Sequence, residues 1–82
     1  MSVLTNKQEY TPLATMIMFE EDDFTVALAD GRQIKVPYEW FPRLANASQK
    51  ERETYEFIGN GIGMHWPLID EDISVEGLLR LR

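Results

Sequence analysis

A chain of 82 residues carrying a formal charge of −6 at pH 7 has room for one small domain, because folded chains near this size bury roughly 60 % of their unfolded surface around a thin core. The absence of cysteine excludes disulfides, zinc–thiolate sites and thiol nucleophiles. The acidic balance disfavours direct binding of DNA or RNA, whose phosphates are held chiefly by Lys and Arg.

The opening stretch, MSVLTNKQEY, has neither the basic nor the apolar region of a secretory signal, and no later apolar run approaches membrane-spanning length. A cytoplasmic address follows as the expectation. Residues 1–13 carry no periodicity and include Pro12, so they read as a flexible arm ahead of a single domain over 14–82.

From Thr15 onward the chain alternates in the manner of strands. Phe24, Val26 and Leu28 share one face of a strand, as do Ile34 and Val36 of the next. A two-residue Asp30-Gly31 turn would set Val26 against Lys35 and mix the faces. A three-residue loop over Ala29, Asp30 and Gly31 instead pairs Val26 with Ile34 and Phe24 with Val36, with Gly31 left-handed in a bulged turn. The acidic run Glu20 to Asp23 contains no glycine, so a four-residue loop is expected there, pairing Phe19 with Phe24 and Ile17 with Val26. The predicted core face is Ile17, Phe19, Phe24, Val26, Leu28, Ile34 and Val36. The opposite face carries Met16, Met18, Thr25, Ala27, Gln33 and Lys35. Methionines recur on adaptable contact surfaces, and Met16, Met18 and Ala27 form a candidate self-association face that would support a weak homodimer.

Pro37 ends the third strand. Trp40, Phe41 and Leu44 then fall at helical spacing, and Pro42 fits only the first turn of a helix, so a short helix should cover the core face of the sheet. Ser48 and Glu51 are spaced as a capping box, which starts a second short helix at Gln49. Asn60-Gly61 signals a hairpin between EFIG and IGMHWP, with Ile62, Met64 and Trp66 turned inward and His65 turned away. Asp70, Glu71 and Asp72 read as a solvated turn leading to a third helix capped by Ser74 and docked by Val75, Leu78 and Leu79. The fold class is therefore α+β: a three-stranded antiparallel meander and a later hairpin, with two or three short helices.

The only histidine invites an enzymatic reading that the other letters do not support. His65 would need an orienting carboxylate and a nucleophile, or an open metal position, and no set of suitably spaced ligands can be picked out. Adjacent Asp70, Glu71 and Asp72 splay in different directions, unlike the convergent carboxylates of a glycosidase. No catalytic residue, metal or cofactor is expected. Trp40, Arg43, His65, Trp66, Asp70, Glu71 and Asp72 are instead the candidate partner-binding residues, since Trp and Arg dominate many interfaces and the acids suit a basic protein.

Three separated groups of residues carry a resemblance. The Asp30-Gly31 turn comes first, then Pro37, Trp40, Phe41, Pro42, Arg43, Leu44, Asn46 and Ala47. The last group runs through Ile58, Gly59, Gly61, Gly63, His65, Trp66, Pro67, Asp70, Glu71, Asp72, Ser74, Val75, Gly77, Leu78 and Leu79. In that order, over roughly residues 14 to 80, the chain resembles the bacterial family of domains of unknown function (DUF) 2442. The resemblance implies a small α+β domain with an antiparallel sheet. It also implies a context in which such a protein is encoded beside another small protein, in the manner of a toxin and its antitoxin. Some relatives carry an added helix-turn-helix, and this chain, ending at Arg82, is expected to lack that module. Two roles remain: a non-enzymatic protein-interaction module, antitoxin-like or accessory to a small co-encoded protein, or an acidic inhibitor that occupies the groove of a nucleic-acid-binding enzyme. A small-ligand scaffold is the weaker third.

Overall fold

The computed structural model describes residues 11–81. Strands β1 (Ala14–Phe19), β2 (Asp23–Leu28) and β3 (Gln33–Pro37) form an antiparallel meander in the order β1-β2-β3. Both registers are those the alternation dictates: Phe19 faces Phe24 and Ile17 faces Val26, while Val26 faces Ile34 and Phe24 faces Val36. Gly31 holds the left-handed conformation at φ +97°, and the Leu28 N–H donates to the Arg32 carbonyl at 2.8 Å to close the loop. The Asp30 carboxylate accepts from the Arg32 backbone N–H at 3.0 Å and from its Nε at 2.9 Å, stiffening the same turn. A bulge at Thr15, between the pairs Ala14–Leu28 and Met16–Ala27, lets both Ala14 and Ile17 turn inward.

Phe24, Val26 and Val36 are fully buried, and Phe19 and Ile34 lie at the margin of the core. Pro12 is buried and the Leu13 carbonyl accepts from the Ala29 N–H at 2.8 Å, so these two residues of the segment read as an arm lie against the first sheet. The rest of that arm, residues 1–10, lies outside the described residues.

A 3-10 turn over Tyr38–Trp40 leads into α1 (Pro42–Ala45), with Pro42 in its first turn, where the missing N–H has no bond to lose. Leu44 is buried and Phe41 packs against the core, whereas Trp40 is 45 % exposed. The capping box opens α2 (Gln49–Glu53) as its spacing requires: the Ser48 Oγ accepts from the Glu51 N–H at 3.2 Å, and Glu51 Oε1 accepts from the Ser48 N–H at 2.8 Å.

A second antiparallel sheet, in the order β4-β5-β6, contains β4 (Glu56–Ile58), β5 (Gly63–Trp66) and β6 (Glu71–Ser74). Here the structure corrects the reading of the acids as a solvated turn. Glu71 and Asp72 lie inside a strand that pairs Trp66 with Glu71, His65 with Asp72 and Met64 with Ile73. Acidic residues are poor strand formers, but pairing with β5 and the burial of Ile73 outweigh that preference. Only Asp70 remains in the turn, in the left-handed conformation at φ +56°. Ile62 is a second correction: it belongs to the 59–62 loop and is 55 % exposed, while Met64 and Trp66 are buried as expected. The chain then enters α3 (Val75–Arg80), whose Ser74 cap accepts from the Gly77 N–H at 2.9 Å.

The inner faces of the sheets meet through aromatic rings. Trp66 packs edge-on to Phe24 at 5.9 Å between centroids, Phe24 stacks on Tyr38 at 5.7 Å, and Tyr55 bridges Phe19 and Phe57 at 5.6 and 5.4 Å. Each fully buried large side chain contributes about 1.5–3 kcal/mol relative to exposure, so Trp66 and Phe24 anchor this thin core. At the periphery the 59–62 loop joins the sheets. Its Gly61 carbonyl accepts from the Ala14 N–H at 2.8 Å, and its Ile62 carbonyl accepts from the Val75 N–H at 2.9 Å. Gly61 has φ +118° and lies against the Ala14 backbone, where a Cβ would collide with the carbonyl oxygen.

Candidate functional site

The seven candidate contact residues do not form one patch. Because side chains alternate along a strand, the cross-strand pairs His65–Asp72 and Trp66–Glu71 project to opposite faces of the second sheet. Trp66 is fully buried, with its Nε1 donating to the Arg52 carbonyl at 2.8 Å, so it is core and not part of any contact surface. Its place in the sequence suited both roles, since an interface anchor and a core anchor share the same residue type. Glu71 lies at the rim of the inner side and receives Arg43, whose Nη1 approaches Glu71 Oε1 at 3.5 Å and donates to the Asp70 carbonyl at 3.1 Å. This clasp ties α1 to the start of β6. Trp40 is exposed on the 3-10 turn.

His65 and Asp72 stand together on the outer face of the second sheet. The His65 Nδ1 hydrogen-bonds Asp72 Oδ1, which supplies the carboxylate partner that the sequence alone did not reveal. That hydrogen bond raises the imidazole's pKa above its ordinary value; partial burial opposes the shift, and the negative charges of Asp72, Glu56 and Asp70 reinforce it. Glu56 faces His65 directly across β4 and β5. The outer face thus carries a row of Glu56, His65 and Asp72. Beside it runs a second row of Ile58, Gly63 and Ser74, displaced by two residues along each strand.

Ile58, Ile62, Gly63, Asp72, Ile73 and Ser74 line a shallow depression of ≈ 290 Å³ next to the charged row. Gly63 keeps it open, because a Cβ there would press on the Ile73 carbonyl oxygen at 2.9 Å and approach the Ile58 Cδ1 at 3.7 Å. Ile58 and Ile62, which are 38 % and 55 % exposed, give this depression its apolar character. The sequence held a usable signal for this face. A four-residue loop across Asn60-Gly61 pairs Ile58 with Gly63, which by counting sets Glu56 opposite His65. The third column needed β6, whose acidic letters concealed it.

On the first sheet, Met16 and Met18 are 53 % and 38 % exposed, beside half-buried Thr25 and Ala27 and exposed Gln33 and Lys35. This face has the mixed character its sequence suggested. At the opposite end of β2 the acidic turn adjoins a groove lined by Glu21, Asp22, Asp23, Tyr38, Glu39 and Arg52. Arg52 fills a structural role there: its guanidinium covers the Tyr38 ring at 3.9 Å, Nε donates to the Leu44 carbonyl at 2.9 Å, and Nη2 donates to the Ala45 carbonyl at 3.1 Å. The buried Tyr38 phenol, its pKa raised chiefly by burial, donates to the Glu20 carbonyl at 2.8 Å. Among the described residues no cluster of His, Asp or Glu is arranged to hold a metal ion, and no helix is long and apolar enough to cross a membrane.

The profile of the family described as protein of unknown function (DUF2442) matches residues 14–82. The chain belongs to DUF2442. A similar arrangement recurs in a crystal structure of a protein of unknown function from Rhodospirillum rubrum. That protein is 28 % identical, with a TM-score of 0.75 over 85 % of this chain and 87 % of that one. The solution structure of an uncharacterised protein from Chromobacterium violaceum shares the fold at 23 % identity, with a TM-score of 0.71 over 89 % of this chain and 68 % of that one. Nothing among the curated proteins matches.

Proposed function

We propose that this DUF2442 chain is a non-enzymatic protein-interaction module whose contact surface is the outer face of the second sheet. The observation that carries the reading is the exposure of Ile58 and Ile62 on an open sheet face beside the Glu56–His65–Asp72 row. Small molecules are held in concave pockets that bury most of their surface, whereas a shallow depression edged by charge suits the relief of another protein. The His65–Asp72 pair orients an imidazole without assembling a nucleophile around it. On the same face, the Ser74 hydroxyl is committed to capping α3 through the Gly77 N–H.

The specific form of this role that the charge of −6 suits is neutralisation of a basic, co-encoded partner, as an antitoxin-like protein does. The acidic-inhibitor reading draws on the Glu21, Asp22, Asp23 and Glu39 groove, which would mimic the charge of a nucleic-acid backbone. Purification of the tagged chain from its native host separates these outcomes. The wild type should retain a small basic protein that Ile62→Lys loses. Recovery of a large nucleic-acid enzyme, lost on Glu21→Lys and Glu39→Lys, would favour the inhibitor. A turnover that disappears in His65→Ala would overturn the non-enzymatic role.

A further inference from the structure

We propose that the outer face of the second sheet receives an extended cationic segment in which an apolar residue and a Lys or Arg alternate. The apolar side chain enters the depression between Ile58, Ile62 and Gly63, and the cation meets Asp72 and Glu56. This rests on the interaction reading above and names the chemistry of the partner.

The spacing of the two rows carries the inference. Ile58 and Glu56 lie two residues apart on β4, as do Gly63 and His65 on β5 and Ser74 and Asp72 on β6. Residues two apart on a strand are separated by about 6.5–7 Å, and the same interval separates alternate side chains of any extended peptide laid along these strands. A segment with an apolar residue at one position and a base two positions on therefore sets its apolar side chain beside Ile58 and Gly63 and its base beside the carboxylate of Glu56 or Asp72, on either side of His65, without bending.

The charges select the sign. Asp72 uses Oδ1 for His65, and its side chain remains 70 % exposed, leaving the second oxygen for a donor. Glu56 takes part in none of the ion pairs among the described residues, and Asp70 lies close enough to act on the same imidazole. No Lys or Arg lines the depression. A second copy of the chain docking this face on itself would oppose Glu56 and Asp72 to their own counterparts, and such like-charge contacts are repelled. Nucleic acid is repelled on the same ground. A basic peptide is attracted from a distance by the charge of −6 and then held locally by the two rows.

The test is a titration of the 15N-labelled full chain with an acetylated synthetic peptide repeating Leu-Thr-Lys-Thr. The amides of Ile58, Ile62, Gly63, Asp72 and Ser74 should shift and saturate. Affinity should fall about tenfold or more when Glu replaces each Lys in the peptide, and likewise when Ser replaces each Leu. Ile62→Ser and Asp72→Asn should each weaken binding while the spectrum stays dispersed, and Met16→Lys should not. Three results would overturn the proposal: equal binding of the peptide lacking Leu, which would mean charge alone; shifts centred on Met16 and Met18; or no saturable shift. If the host partner is lost on Met16→Lys and retained on Ile62→Lys, the interaction role stands and this surface is refuted.

Discussion

Asp72 holds His65 both by accepting from Nδ1 and by its charge, and both effects favour the imidazolium. The folded pKa therefore lies above the ordinary value of 6.5, and the associated stabilisation is fully present below pH 6.5 and lost as pH rises through the raised value. Asp72→Asn should return the imidazole titration, followed by NMR, toward 6.5, with Glu56 and Asp70 sustaining a smaller residual shift. Its destabilisation in urea should be larger at pH 5.5 than at pH 9, and an equal loss at both would contradict the coupling. Glycines separate conformational strain from collision at the same scale. Gly31 at φ +97° has open space where a Cβ would lie, whereas Gly61 at φ +118° would drive one into the Ala14 backbone. Gly31→Ala should cost about 1 kcal/mol, and Gly61→Ala more than about 2 kcal/mol, in chemical denaturation.

Helix α2 has five residues and buries none of them, so it is far too short to persist alone. Its capping box fixes its start, and Arg52 fastens it to α1 and to Tyr38 while lending its own carbonyl to Trp66. Ser48→Ala should cost about 1 kcal/mol, the usual price of an N-cap. Arg52→Ala should cost about 2 kcal/mol, with little rescue by Lys, because a point charge does not span two carbonyls and a ring as a planar guanidinium does. Urea melts of the three variants check the ranking. Elements with local chemistry were the ones legible in the sequence: the box of Ser48 and Glu51, the bulged turn at Gly31, and both registers of the first sheet. Strand β6 was hidden because Glu71 and Asp72 resemble turn residues, and the Arg43 side chain that meets Glu71 is distant in sequence. With β6 hidden, the carboxylate beside His65 could not be seen, and Trp66 could be taken for a contact residue.

Over the whole molecule, the two sheets turn one aromatic face inward and leave two unlike faces outward. The first exposes Met16 and Met18, and the second sets Ile58 and Ile62 beside acids. Only the first is free of the like-charge conflict described above, since Lys35 there lies 4.0 Å from Asp23. Weak self-association through the first sheet is the expected behaviour without a partner. Sedimentation at rising concentration should show it, and the Met16→Lys, Met18→Lys double variant should reduce it while remaining folded, because long charged stems on an exposed face cost little. A wild type monomeric throughout would remove this association.

The carbonyls of Gly61 and Ile62 bond to the first residue of β1 and the first residue of α3, segments that lie far apart along the chain. Each meander is built from neighbours in sequence, so each can form early, whereas the bond from the Ala14 N–H to the Gly61 carbonyl requires both to be in place. That bond should therefore be closed last on the way to the native state and opened first on the way out. In stopped-flow measurements Gly61→Ala should speed unfolding and leave the refolding rate nearly unchanged, so that the lifetime of the folded chain is governed at the 59–62 loop.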